Sequence, residues 1–414
     1  MTLWRRPDFL KIWTGQTISE MGSRISREGL PITAVLILHA TPAQMGWLAA
    51  LSGIAAVLVS PYAGALADRS RRRPILIGAD LGRAAVLATI PIAYLAGILS
   101  IWQLFVCAAA AGILTVFFDV SYPTYVPTLV PQDQLLEANS KLALTVSIAE
   151  VTGPAFTGIL IKLVTAPFAI ALDALSFVVS AFSIAIIRTP EPKPAAGSAR
   201  EDLSSGFRFI FSHPLLRSIA LRTATASFSA GVFFTLYVYY AISILKMTTV
   251  ELGIVISLGG IGNLVGALIA NHLGHRLPTR ATLIAATLWQ GASALLVSLP
   301  SGPGMAAVLL WGASQLFGDI ANPLYAIYEL TFRQSATPKE LHGRVNAAMQ
   351  LLYKGAMPAG SLVGGLLATW SSPRMALFAG ALGIMLSALW LVFSKPSGKG
   401  DFIGTLKPDS WNPK

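Results

Sequence analysis

Cysteine is almost missing from this chain, and charge is scarce. One cysteine, Cys107, occurs in 414 residues, which excludes an internal disulfide and a cysteine metal cluster. Charged residues make up 12%, against about 25% in ordinary soluble domains. Acids are the scarcer sign, 19 against 30 lysines and arginines. The five histidines (His39, His213, His272, His275, His342) fall in loops or at helix ends and make no metal site. No G-x-x-x-x-G-K-[ST] phosphate cradle occurs, so ATP is not the expected energy source. No catalytic constellation stands out, and neither enzyme chemistry nor a cofactor is expected. Residues 1–8 lack a short apolar core followed by a small-residue cleavage site, so no removable signal peptide is expected.

What is present is oil. Hydrophobic residues make up 54%, and the mean hydropathy is +0.65. A soluble domain cannot hide that much apolar surface, which implies an integral membrane protein in contact with the lipid bilayer. Taking about 20 apolar residues per crossing, spans are expected near 9–38, 43–67, 74–97, 101–126, 137–162, 167–187, 214–245, 249–271, 279–299, 303–330, 341–370 and 373–394. The net charge of +11 would suit nucleic acid, but its placement argues against that partner. Only Lys162, Lys246 and Arg374 fall in outside loops, a positive-inside bias that puts both termini in the cytoplasm. The Pro- and Ser-rich stretch 188–212 reads as a cytoplasmic linker. Its end is expected to form an interfacial helix with Phe207, Ile210 and Phe211 towards lipid. The expected division is a bundle over 1–187, the linker, a second bundle over 213–394, and a polar tail over 395–414.

The second half repeats the first. Phe117, Asp119, Pro123 and Tyr125 return as Phe317, Asp319, Pro323 and Tyr325, each displaced by 200 (319 − 119). Asn139, Gly153 and Gly158 return as Asn346, Gly360 and Gly365, displaced by 207 (346 − 139). Pro167 and Pro373 open the sixth and twelfth spans. Asn271–Arg276 reads as a worn copy of a motif in the first half. Such doubling marks a chain built from two parallel repeats.

That first-half motif is Gly64-Ala-Leu-Ala-Asp68-Arg69-Ser-Arg71-Arg72-Arg73, a short turn between the second and third spans. Gly64, Ala65 and Ala67 suit close backbone approach, and Asp68 suits the positive end of a neighbouring helix. The stretch resembles the G-x-L-a-D-r-x-G-r-k signature of the major facilitator superfamily, with Arg71 where that pattern has a second glycine. The resemblance, over roughly residues 8–394, implies an all-α membrane protein of about twelve helices in two pseudo-symmetric six-helix bundles around a central cavity. It also implies a charge relay at the cytoplasmic face, with Asp119 pairing with Arg72 as a gate beside Gly64 and Asp68, and Asp319 mirroring Asp119. The family's fourth-helix arginine motif is absent, since no arginine lies between Arg83 and Arg188.

Ionisable groups within a span are costly, and each is a functional candidate. Gln16, Glu20, Arg24 and Glu28 recur every four residues along the first span, with Arg27 beside them. They line a watery cavity, meet partners from neighbouring helices, or neutralise one another as a structural Glu20–Arg24–Glu28 ladder. Glu150 lies mid-way along the fifth span, ahead of Gly153-Pro154 and Gly158. Buried without a cation it would exchange a proton; bonded to a neighbouring hydroxyl or backbone group it would be structural. Asp80 and Arg83 are spaced to pair structurally, and Asp173 to cap or pair locally. Lys354, alone in the eleventh span, reads either as a counter-ion for Glu20 or Glu150 or as a contact for an anionic substrate.

The glycines and proline at 153, 154 and 158 resemble the glycine-proline motif of superfamily exporters. Residues 79–83, 135–140 and 172–177 are similar to a bacterial branch of macrolide-efflux and siderophore-export proteins, whose pattern does not include Glu20. The implied function is proton-coupled export of a small organic compound from a bacterial inner membrane, by a monomer. Two alternatives stand: a lysophospholipid flippase, and a non-transporting membrane sensor or scaffold that kept the fold.

Overall fold

The computed structural model describes residue 3 and residues 6–191, 203–273 and 278–394. Residues 192–202 of the linker, the second half of the worn motif copy (including His275) and the tail from 395 lie outside the described residues. Among the described residues every regular element is helical: α1 Pro7–Leu36, α2 Pro42–Arg69, α3 Arg72–Leu95, α4 Ile101–Tyr125, α5 Leu135–Val164, α6 Ala166–Ala185, α7 Leu203–Ser212, α8 Pro214–Tyr239, α9 Thr249–Leu273, α10 Thr279–Val297, α11 Met305–Gly318, α12 Ala321–Ala336, α13 His342–Trp370, α14 Pro373–Leu386 and α15 Leu389–Val392.

The helix starts follow local chemistry. Proline at the first turn loses nothing by lacking an N–H there, and it opens α1, α2, α6, α8 and α14. Thr41 accepts from the Gln44 backbone N–H, while Gln44 accepts from the Thr41 N–H in return. Among the described residues, eight helical stretches are long and apolar enough to cross a membrane, within α2–α6, α8, α9 and the α14–α15 stretch. The other four expected spans are helical but fall short of that criterion. In α1 the charges at Glu20, Arg24, Arg27 and Glu28 are the reason, and the expected tenth span is divided between α11 and α12. That division falls at Asp319. Pro323 has no N–H to return to the Asp319 carbonyl, which accepts from the Asn322 N–H at 3.3 Å instead.

Two compact units are formed: Met1–Ala199 with Ala241–Ser257, and Arg200–Tyr240 with Leu258–Lys414. In the first unit α1 lies along α6, where Gly15, Gly22 and Gly29 face Ser183, Ser176 with Asp173, and Ile170. Residues 241–257 join this unit by gripping α5. Thr249 Oγ1 donates to the Gly158 carbonyl at 2.9 Å, and the Ala155 N–H donates to Ser257 Oγ at 3.0 Å. A Cβ at Gly253 would lie 2.4 Å from the Pro154 carbonyl oxygen.

The second unit is built on α8 against α13, and Gly360 is its tightest seam. A Cβ there would sit 1.8 Å from the Phe228 carbonyl oxygen. The short α7 departs from the expectation of a lipid-facing helix. Phe209 and Ile210 are buried in the core formed with α8, α12 and α13, Phe207 packs against it, and Phe211 alone of the aromatic set is exposed. The cause is Gly206, which lets α7 approach the Arg344 backbone so closely that its apolar face seats on the bundle.

Gly360→Ala is expected to cost about 1–3 kcal/mol through overpacking, read as a lowered melting temperature in detergent. Gly355→Ala, facing open space, is the neutral control. A second expectation concerns Asp8, ahead of the apolar part of α1. It accepts from Lys11 Nζ, the Thr189 N–H and hydroxyl, and the Arg188 N–H at 2.7–3.1 Å. Burial pushes its carboxyl up, but these donors outweigh burial and hold it at about 2, below the ordinary 3.8. Its stabilisation is therefore complete above about pH 4 and is lost as pH falls towards 2. Asp8→Asn should flatten the melting-temperature profile across that interval.

Candidate functional site

Arg24 is the centre of the first unit's charge. Its stem packs flat on Gly153 of α5, where a Cβ would meet Arg24 Cγ at 2.7 Å. From there Nη2 reaches Glu150 Oε1 at 3.2 Å. Arg24 is buried (side chain 10% exposed), while Glu150 is half-open at 47%. The reading of Glu150 as buried without a cation is thus corrected. The Arg24 guanidinium bonds across to α5, the neighbouring-helix partner the sequence allowed, while Glu20 and Glu28 stay in its electrostatic field. Gln16 turns the other way and donates to Ser180 Oγ of α6 at 2.9 Å. Glu20 remains within electrostatic reach of Arg24, Arg27, Arg83 and Asp119, and Glu28 within reach of Arg27 and Arg24.

Asp80 and Arg83 form the expected pair, buried and joined through Oδ1 and Nη2. Arg83 is clasped between two rings, its Cζ 4.6 Å from the Phe118 centroid and 4.1 Å from that of Phe177. Such a guanidinium is held by packing as much as by charge. Asp173, fully buried on α6, accepts from Ser176 Oγ at 3.0 Å, the local pairing anticipated.

At the α2–α3 turn Arg72 meets Glu191, a carboxylate the sequence did not single out. Glu191 accepts from the Arg72 and Arg73 N–H groups at 2.5 and 3.1 Å and pairs with the Arg72 guanidinium at 3.7 Å. It caps the start of α3, where the helix dipole favours an anion. Arg71, in place of the family's glycine, has φ −64°, so glycine is not needed there. Gly64 has open space where a side chain would go, so it makes no close approach in this conformation. Asp68 and Asp119 are both exposed.

Lys354 and Asp319 lead into the second unit. Lys354 lines a cavity of about 520 Å³ with Arg222, Tyr325, Glu329, Arg333 and Tyr353. Arg222, buried on α8, donates from Nε to Thr287 Oγ1 at 3.1 Å and from Nη2 to Gln290 Oε1 at 2.6 Å. Its Cζ lies 3.6 Å from the Tyr325 ring centroid. Gln290 donates on to Asn322 Oδ1 at 2.7 Å, and Asn322 donates to Asp319 Oδ1 at 2.9 Å. Asp319 therefore ends a polar chain that begins in the cavity. Arg333 and Glu329 pair at 3.2 Å. Arg222, Glu329, Arg333 and Glu191 were not singled out from sequence. The rule that picked Glu20, a charge inside an apolar run, would have found Arg222; Glu329 and Arg333 looked like a span's end, and Glu191 like linker.

The sequence profile of the Major Facilitator Superfamily matches residues 12–357. The chain is 25% identical to the multidrug efflux pump Tap of Mycolicibacterium fortuitum, over 95% of this chain and 97% of that protein. It is also 25% identical to macrolide efflux protein A of Streptococcus pyogenes, over 87% and 89%. The enterobactin exporter EntS of Salmonella typhi is again 25% identical, over 82% and 80%. Among solved structures, a bacterial homologue of the iron transporter ferroportin in its inward-facing state superposes with a TM-score of 0.77 at 16% identity, over 95% of this chain and 99% of that one.

If Arg24 and Glu150 interact as placed, Arg24→Gln and Glu150→Gln should each destabilise the protein, and the double variant should cost less than their sum. A coupling of about 1 kcal/mol is expected, given how open Glu150 is, measured by a thermal double-mutant cycle in detergent.

Proposed function

The chain belongs to the Major Facilitator Superfamily, and from that premise we propose that it exports a small organic compound from the bacterial cytoplasm in exchange for protons. The efflux relatives, which span nearly the whole chain, support the direction of transport. One observation carries the coupling: Glu20, a carboxylate within a span, stands one turn from an arginine already engaged by a second carboxylate. Arg24 therefore has two acids to choose between. With Glu20 protonated, Arg24 stays on Glu150. Loss of that proton makes Glu20 a competing anion and draws the guanidinium along its own helix. Gly153 leaves the stem free to slide, because any side chain there would strike it.

In this reading two six-helix bundles, 1–187 and 213–394, rock about the substrate, with both termini in the cytoplasm. Asp68 and Arg72 at the α2–α3 turn, with Asp119, act as the cytoplasmic gate, and Asp319 serves the same end in the second half. Glu191 adds the linker to that gate by holding the start of α3. Pro154 and Gly158, gripped by residues 241–257, act in packing.

In inverted vesicles a preset pH gradient should drive uptake of an exported compound, and collapsing the gradient with an ionophore should stop it. Glu20→Gln should still exchange compound across the membrane but lose accumulation against a gradient, a loss of at least about tenfold. Full accumulation in Glu20→Gln rejects Glu20 as the proton site.

A further inference from the structure

The cavity of the second unit carries an imbalance of charge. Three cations line it, Arg222, Arg333 and Lys354, against one carboxylate, Glu329. Glu329 lies in electrostatic reach of both arginines and makes its ion pair with Arg333. Arg222 is held by neutral acceptors, Thr287 and Gln290, and by the face of Tyr325. Lys354 makes no ion pair among the described residues. Positive charge in excess within a membrane domain is costly unless something negative answers it.

Elsewhere in the chain such charges are answered from within: Arg24 by Glu150, Arg83 by Asp80, Arg72 by Glu191. Here the answering group is absent while room for it exists. A volume of about 520 Å³ lies in the range that holds a small organic molecule. Besides small residues and the amides of Gln290 and Gln350, the remaining walls are Tyr325, Tyr353, Met349 and Ile384, which offer surface to a flat apolar body.

We propose that this cavity is an anion-selective substrate subsite, taking small organic molecules that join a carboxylate or similar oxyanion to an aromatic ring. Lys354 is the mobile electrostatic contact, Arg222 the fixed one, and Tyr325 and Tyr353 the ring surfaces. The inference rests on the export reading for calling the ligand a substrate, but not for the binding itself. Through Gln290 and Asn322 the occupant's charge would also be felt at Asp319.

The test uses the full chain, purified in detergent, titrated calorimetrically with 1-naphthoate and its neutral counterpart 1-naphthamide. The pair has one shape and differs in charge. The naphthoate should bind at least about tenfold more tightly, as charge-assisted contacts require. Lys354→Gln should bring the two affinities together, and Lys354→Arg should restore the difference. Lys354 makes no hydrogen bond or ion pair among the described residues, so these variants are expected to fold; an unchanged melting temperature checks it. Wild type that binds both compounds equally, or neither, overturns the subsite, as does a preference that survives Lys354→Gln. Gradient-driven vesicle transport separates the two readings. Export of neutral compounds without naphthoate preference leaves the transporter standing and sinks the subsite. Naphthoate preference in a protein that moves nothing keeps the anion site and sinks export.

Discussion

A charged side chain in a membrane-spanning helix must be met by a partner, and this constraint organises the molecule. Water is not freely available to solvate it, so the helix bearing it turns towards whatever can. Arg24 reaches Glu150, Arg83 reaches Asp80 and two rings, and Arg222 reaches Thr287, Gln290 and a tyrosine face. Each contact joins elements distant in sequence or fixes a helix's rotation about its own axis. The polar groups are thus both the functional candidates and the pins that orient the helices.

Between those pins the helices are brought together by missing side chains. Apolar surface gives little preference for protein over lipid tails, so close packing must supply much of the association. Gly360 against Phe228 in the second unit and Gly253 against Pro154 in the first are such seams. At Gly153 the same economy of space has another use: the area vacated by a side chain is filled by the stem of Arg24.

Much of the fold was legible because it follows from one-dimensional patterns. Apolar run length located the helices, the 200-residue offset exposed the doubling, and the proline starts fixed several boundaries. What escaped was partner choice. That Arg24 looks across to α5, and not along α1, depends on how closely Gly153 admits its stem. That Arg72 meets Glu191 depends on where the chain goes after α6, and no spacing records that path. The helix α7 shows the same limit: its amphipathic pattern was plain, but whether lipid or protein covered the apolar face turned on Gly206 meeting Arg344. The cavity was visible only as a lone lysine, because Arg222, Glu329 and Lys354 come from three separate helices.

The interruption at Asp319 has a mechanical side. Asp119 sits within a single unbroken helix, α4, whereas its counterpart stands where α11 gives way to α12. One half of the doubled chain therefore has a stiff rod where the other has a jointed one. Tyr325, Glu329 and Arg333 all lie on the inner segment beyond the joint. A guest in contact with them bears on that segment, while α11 is tied through Trp311 to the Val297 carbonyl. Repetition in sequence has thus left two halves of unequal build, and a cavity adjoins the interrupted one.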